Sequence, residues 1–308
     1  MANNKEKISP AESVLVMYSG GVDSTLLAAT LPENFKRVYL VTYDLAYLFG
    51  LSNCHKNLER LKAIHSHRII SHCIVNATKV RTLLLDTFYD DYFEYCKGAS
   101  PAIICLACRM AMLMESIKLC LQLGIGHLAI GHTRIQASKA HSFSPIVRRF
   151  ITFMERYNIS YTNHFYDIES RKAQKNLLAK LGINTGLYIG MSSATHQPKC
   201  CLGMLSSAWR MGSYIIAEDM ERYFDNKIPI MENYLSPYVH LKKGLKYNSK
   251  SSTQIDSNIP GRPMHEFGPI VDKILGKILL PFWWGLKLYF YMRKILRGNA
   301  LQKYSRES

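Results

Sequence analysis

Acidic residues are scarce in this chain. Its 308 residues carry 39 Lys and Arg against 23 Asp and Glu, a formal net charge of +16. Folding requires no such excess, so it points to an anionic partner: nucleic acid, nucleotide or anionic lipid. Charge alone does not separate the three. The first residues, Met1-Ala-Asn-Asn-Lys-Glu-Lys7, lack the apolar stretch of an export signal. A cytoplasmic location is therefore expected, and the eight cysteines read as free thiols, a metal site or a redox pair rather than a disulfide framework. Most of them serve as small buried hydrophobes on this reading. No internal repeat is visible. No Gly-Lys-Ser/Thr follows the glycine pair near the N-terminus, which excludes a Walker phosphate loop there. The apolar segment Ile278–Met292 is 15 residues long and holds Pro281 and Lys287, short for a membrane span.

Hydrophobic residues make up 48% of the chain, enough for a substantial core. Ser13–Tyr18, Arg37–Tyr43, Arg68–Val75 and His127–Ile130 are short, nearly continuous apolar runs of the kind buried in parallel sheets. Helices are expected at Asp23–Thr30, Asn57–His65, Ala107–Leu123, Ile146–Tyr157, Arg171–Leu181 and residues 212–224. Strand and helix alternate, which implies an α/β fold: a Rossmann-like parallel sheet with helices on both faces, over residues 1–230. Residues 231–268 read as a linker, rich in Lys, Ser, Asn, Gly and Pro from 242 to 263. Residues 269–308 read as an apolar, basic helical extension.

Between the first strand and the first helix stands Ser19-Gly-Gly-Val-Asp-Ser24. Adjacent glycines let the backbone turn tightly and bring N–H groups close to an anion. The helix that follows aims its N-terminal dipole at the same place, and Ser19 and Ser24 add hydroxyls. Asp23 beside a phosphate makes sense through a cation, so Mg²⁺ is expected there. A plain helix start after a glycine turn is the bland alternative, but strand, hexapeptide and helix agree. The string resembles the SGGxDS signature of the PP-loop ATP pyrophosphatases. That resemblance implies ATP·Mg²⁺ held by Ser19, Gly20, Gly21, Asp23 and Ser24, and adenylation of a substrate oxygen with release of pyrophosphate. The class includes amide-forming ligases and sulfur-inserting enzymes.

Cysteines choose between these branches. Cys105-Leu-Ala-Cys108 stands at the start of the expected helix from Ala107, where a thiol is acidified by the helix N-terminus, with Arg109 beside it. Cys200-Cys201 form a second thiol site. Pro101-Ala-Ile-Ile-Cys-Leu-Ala-Cys-Arg-Met-Ala-Met112, followed by Leu123-Gly-Ile-Gly-His-Leu-Ala-Ile-Gly-His132, resembles a segment of the bacterial tRNA 2-thiouridylases: a cysteine, a helix, then a strand ending in Gly-His. In that family the cysteine works with a second one far downstream. Cys108 matches the first; Cys200 or Cys201 is the nearest match to the second. Gly131 and His132 match a loop near the nucleotide. The resemblance runs over roughly residues 12–205. The family's C-terminal domains, which place tRNA, have no counterpart in residues 206–308.

The resemblance implies ATP-dependent thiolation of a tRNA base, with a sulfur-donor protein as partner. Sulfur would travel as a persulfide on Cys200 or Cys201, resolved by Cys108 through a transient disulfide. Otherwise Cys105, Cys108 and Cys200 would hold a [4Fe-4S] cluster with one open iron. The alternatives are thiolation of a small molecule, and an amide- or nitrile-forming ligase that uses ammonia. A zinc site is disfavoured, because four closely spaced ligands are not evident. Among the 11 histidines, His55, His72, His127 and His141 lack ligand-like spacing; only His132 stands out, by position. Ile278–Met292 and the basic residues up to Arg297 fit packing on the core or on a second subunit, as in a homo-oligomer. Contact with a membrane surface or stacking on RNA bases ranks behind.

Overall fold

The computed structural model describes residues 12–45, 48–95, 102–133, 144–165, 167–168, 170–183, 188–189, 192–193, 198–200 and 217–244. At its centre lies β1 (Ser13–Met17), every residue of which is buried. It pairs in parallel with β2 (Arg37–Asp44) on one side and with β5 (His127–Ile130) on the other. β4 (Ile69–Asn76) adds to β2, and β6 (Ser160–Thr162) to β5, both in parallel. The order β4-β2-β1-β5-β6 makes an open sheet of five strands. The apolar runs behave as expected, because a strand covered on both faces needs no polar alternation.

Side chains alternate across the pleat. Leu15 and Met17 enter one core with Val41, Tyr43, Leu128 and Ile130. Val14, Val16 and Tyr18 enter the other with Val38, Leu40 and Ala129. The second core is covered by α1 (Val22–Thr30), α2 (His55–Ile64) and α7 (Arg171–Lys180), through Leu26, Leu58, Leu61 and Leu178. The first core is covered by α3 (Thr78–Leu84), α4 (Phe88–Tyr95), α5 (Ala102–Leu123), α6 (Ser144–Glu155) and α8 (Ala217–Gly244).

Two elements differ from the expectation. α5 starts at Ala102 rather than Ala107, so Cys105 and Cys108 lie inside its first two turns. Ile103 and Leu106 are fully buried, and that burial carries the helix back to Ala102. α8 runs for 28 residues, past position 230, through what reads as linker from 231 onward. Pro229 and Pro237 each remove a donor inside it. Tertiary packing outweighs that cost: Met220, Tyr223, Phe224, Met231 and Leu235 are all buried against α5 and α6. Arg149 of α6 bridges Glu221 and Asp225, each at 2.9 Å, and Arg156 reaches Glu232 at 2.6 Å. The remainder of the expected linker and the 269–308 extension lie outside the described residues.

Two short antiparallel ribbons complete the description. β3 (Leu48–Phe49) pairs with β9 (Lys199–Cys200), and β7 (Tyr188–Ile189) with β8 (Ser192–Ser193). Among the described residues no helix is long and apolar enough to cross a membrane.

Candidate nucleotide and thiol site

Open α/β sheets bind ligands beyond the carboxyl ends of their strands, and the glycine pair sits at that edge. Tyr18 continues the ladder, its N–H donating to Val41 O at 2.7 Å, while Thr42 Oγ1 donates to Tyr18 O at 2.6 Å. The chain then turns. Gly20 takes φ +73°, a left-handed conformation that a side chain disfavours. Gly21 is extended and leads into α1. Ser24, one turn into the helix, folds back over the loop. Its Oγ accepts from Ser19 N at 3.1 Å, lies 3.1 Å from Ser19 Oγ and donates to Gly21 O at 3.3 Å. Asn57 of α2 holds the carbonyl of Gly20 at 3.4 Å. Ser19, Gly20, Gly21 and Ser24 thus form one small knot at the helix N-terminus, as a phosphate loop requires.

Asp23 does not stand open at the helix start. Its Oδ1 takes Arg171 Nη1 at 2.7 Å and Gln174 Nε2 at 2.8 Å, both from α7, and its side chain is only 15% exposed. The carboxylate ties two helices together beside the loop. Ser170 starts α7 by accepting from Ala173 N at 3.1 Å, which sets Arg171 in the first turn where it can reach across.

Gly131 ends β5 against the start of α1. A Cβ there would stand 3.1 Å from Asp23 C and from Ser24 N. A side chain there would ask the neighbouring backbone to give by a few tenths of an ångström. His132 follows and is buried, 1% exposed, rather than open to a nucleotide. Its Nε2 accepts from Arg109 Nη2 at 2.8 Å, because a guanidinium can only donate. The ring hydrogen therefore sits on Nδ1, 3.4 Å from Tyr161 OH. Asn163 Nδ2 holds the His132 carbonyl at 2.6 Å, and Phe150 stacks on the ring at 6.3 Å. His132 thus braces α5, α6 and β6 together. Burial pushes the Arg109 guanidinium down to about 10, still cationic at neutral pH.

Arg109 also fixes the level of the thiols. Because it meets the residue two places beyond β5, the adjoining Cys108 stands near the carboxyl edge of the sheet. Cys105 lies one turn further out, on the same side of α5. Both are partly buried. Cys200 pairs with Leu48, four residues beyond the end of β2. The phosphate loop after β1 lies between those two strand ends in the sheet order. Cys201 lies outside the described residues.

One grouping has no counterpart in the sequence reading. Cys54, His55 and His72 bring ligating atoms within 4.8 Å of one another, beside Tyr18. Spacing gave no sign of it, since a helix-to-strand crossover separates His55 from His72. The adjacent Cys54-His55 pair was the available signal.

No family model matches the chain. Among curated proteins it is similar to the tRNA-specific 2-thiouridylases MnmA of Rickettsia felis and Rickettsia akari. Each is 29% identical over 128 residues, which is 39% of this chain and 34% of the relative. The chain thus matches about a third of the length of these relatives. Among solved structures, it resembles a 4-thiouridine synthetase–RNA complex with bound ATP, at 14% identity over 76% of this chain and 54% of that one, TM-score 0.46. It also resembles the U34-tRNA thiolase NcsA of Methanococcus maripaludis with its [4Fe-4S] cluster, at 14% identity over 79% and 76%, TM-score 0.40. The NMN synthetase of Francisella tularensis stands at 12% identity over 76% and 87%, TM-score 0.42. The loop, the parallel sheet around it and the MnmA matches relate the chain to the PP-loop ATP pyrophosphatase superfamily.

Proposed function

We propose that this protein is an ATP-dependent sulfurtransferase that thiolates a tRNA base. The observation that supports the reading is topological: Cys108 adjoins the Arg109 that meets His132 just beyond β5, Cys200 pairs with Leu48 beyond β2, and the Ser19–Ser24 loop follows β1, which lies between those strands. ATP phosphates would lie on the backbone of Gly20 and Gly21, at the α1 N-terminus. The absence of a side chain at Gly131 supports that fit, because it keeps the wall beside the loop thin. Mg²⁺ would draw on Asp23 only if Arg171 yields its place.

A carbonyl oxygen of the base attacks the α-phosphorus of ATP, and pyrophosphate leaves. The activated carbon then takes the terminal sulfur of a persulfide carried on Cys200 or Cys201. Cys108 attacks the inner sulfur, AMP leaves with the former carbonyl oxygen, and a disulfide remains. Two electrons from a thiol reductant restore the enzyme. The persulfide itself comes from a donor protein. Alternatively Cys105 and Cys108, three apart on α5, would join Cys200 in holding a [4Fe-4S] cluster, which would supply sulfur from its open iron. The basic charge supports an RNA partner.

The test is a tRNA-dependent pyrophosphate release assay paired with mass spectrometry of nucleosides from a deletion strain. Loss of one thiolated nucleoside, restored by the parent gene and not by Cys108→Ser, is the expected result. A second reading rests on Asp23 and the loop alone: an ammonia-using amide or nitrile ligase, which needs no thiol. Product formation that survives both Cys108→Ser and Cys200→Ser would put that reading first, and a small-molecule product would replace tRNA as substrate.

A further inference from the structure

The Cys54, His55 and His72 side chains take no part in the chemistry above, yet they converge on the α2 face of the sheet. Cys54 closes the short turn Leu51–Cys54, His55 opens α2, and His72 stands in β4 opposite Leu40. Cys54 Sγ lies 4.0 Å from His72 Nε2, and the two imidazoles meet edge to face with centroids 5.0 Å apart. Cys54 is fully buried, His72 partly so and His55 exposed, so the cluster has a closed floor and one side open to solvent.

Two nitrogens and one sulfur, with no carboxylate among them, are the donors of a zinc-class ion rather than of Mg²⁺ or Ca²⁺. Metal–ligand bonds of about 2.0–2.3 Å in a tetrahedron set ligand atoms about 3.3–3.7 Å apart. The observed spacings, all within 4.8 Å, exceed that by at most about 1.5 Å, within reach of a rotation of the exposed His55 ring. Thr42 donates its hydroxyl hydrogen to Tyr18 O, so at 2.8 Å it accepts from His72 Nε2 the hydrogen that a metal on that nitrogen would displace.

We propose that Cys54, His55 and His72 bind one zinc-class divalent ion, with a fourth position left for water. On binding, the Cys54 thiol gives its proton to the medium and its sulfur bonds to the metal. The imidazoles each donate a lone pair, a metal on His72 Nε2 takes the place of the hydrogen there, and no electrons are transferred. The ion fixes the first turn of α2 to β4. That turn already holds the phosphate loop, through Tyr18 OH donating to Cys54 O at 3.1 Å and Asn57 Nδ2 donating to Gly20 O at 3.4 Å. The ion is therefore a rivet under the loop. It is independent of which reaction the loop serves.

The test uses the full-length chain, stripped with a chelator and titrated with Co²⁺, then Zn²⁺. The expected result is one Co²⁺ per chain at this site, with the d–d bands of tetrahedral cobalt and a thiolate charge-transfer band, both bleached by Zn²⁺. Zn²⁺ should also raise the Tm of the stripped protein. The spectrum should persist in the Cys105→Ser/Cys108→Ser double variant. Cys54→Ser should lose the thiolate band. His55→Gln, an exposed change that leaves the fold intact, should weaken metal by more than the roughly 10- to 100-fold typical of losing an outer-shell partner. His55→Gln alone decides the matter if Cys54→Ser does not fold. A folded chain with no tetrahedral spectrum, or an affinity unchanged in His55→Gln, would overturn the assignment.

Discussion

At the scale of single residues, Gly131 is constrained by neighbouring backbone. Its missing side chain is replaced by the backbone of Asp23 and Ser24 at 3.1 Å. Neither is the tip of a flexible side chain, so Gly131→Ala must push α1 away from β5. A cost of about 1–3 kcal/mol is expected from such overpacking, together with weaker ATP binding, since the displaced atoms belong to the loop. Urea titration and ATP calorimetry on the same sample check both parts; unchanged ATP affinity would detach Gly131 from the site. His72 gives a pH-dependent case. Its folded pKa, about 4, is below the ordinary 6.5. Between those values the unfolded chain takes up a proton that the folded chain refuses. Stability contributed by neutral His72 is thus full above about pH 6.5 and is lost as pH falls toward 4, by at most about 3 kcal/mol. His127 shifts the same way, so the measurement is the difference in slope between parent and His72→Gln, both metal-free. Parallel slopes would refute it.

Elements differ in how openly the sequence announces them. β1, β2, β4 and β5 are plain apolar runs because each is buried on both faces, and the loop after β1 is plain because glycine chemistry is local. β6 is Ser-Tyr-Thr, three residues with no apolar run, and it exists because His127–Ala129 offers it a ladder. α8 beyond residue 230 is concealed by two prolines, and its reason for being helical lies in α5 and α6, remote in sequence. The same remoteness hides the Asp23–Arg171 link and the bracing role of His132: the phosphate loop is a local motif, but its supports are tertiary. Two predictions belong here. Leu235→Ala should cost about 2–5 kcal/mol, as deletion of a fully buried leucine does, although the sequence reading places it in a linker. A cost under about 0.5 kcal/mol, read from chemical denaturation, would mean that α8 is not part of this core. Asp23→Ala and Arg171→Ala, combined in a double-mutant cycle, should show coupling of about 1 kcal/mol or less, because Arg171 is 39% exposed and its charge is screened.

For the molecule as a whole, the question is whether the edge of the sheet works as one site. The Ser19–Ser24 loop follows β1, Cys108 adjoins the Arg109 that meets His132 just beyond β5, and Cys200 pairs with Leu48, four residues beyond β2. Sulfur transfer demands that the two thiols meet during turnover, while adenylation demands only the loop. The two half-reactions should therefore separate by mutation. Cys108→Ser and Cys200→Ser should retain ATP binding within about twofold, since the loop offers phosphate its own backbone N–H groups, and a stability change under about 0.5 kcal/mol is expected for partly exposed thiols. Each should lose thiolated product by a factor of 100 or more, on the order of 3 kcal/mol of barrier, unless Cys201 substitutes for Cys200. The double variant Cys200→Ser/Cys201→Ser removes that escape. A disulfide between Cys108 and the 200–201 pair requires Cα atoms about 4.4–6.8 Å apart, so it should accumulate only while the enzyme turns over without reductant. Peptide mapping under non-reducing conditions, with and without ATP and tRNA, reads it directly. A linked peptide that depends on both substrates fits one joint site. A thiolated product formed at the parental rate by the double variant would remove Cys200 and Cys201 from the chemistry and leave Cys105 and Cys108 as the thiols to follow.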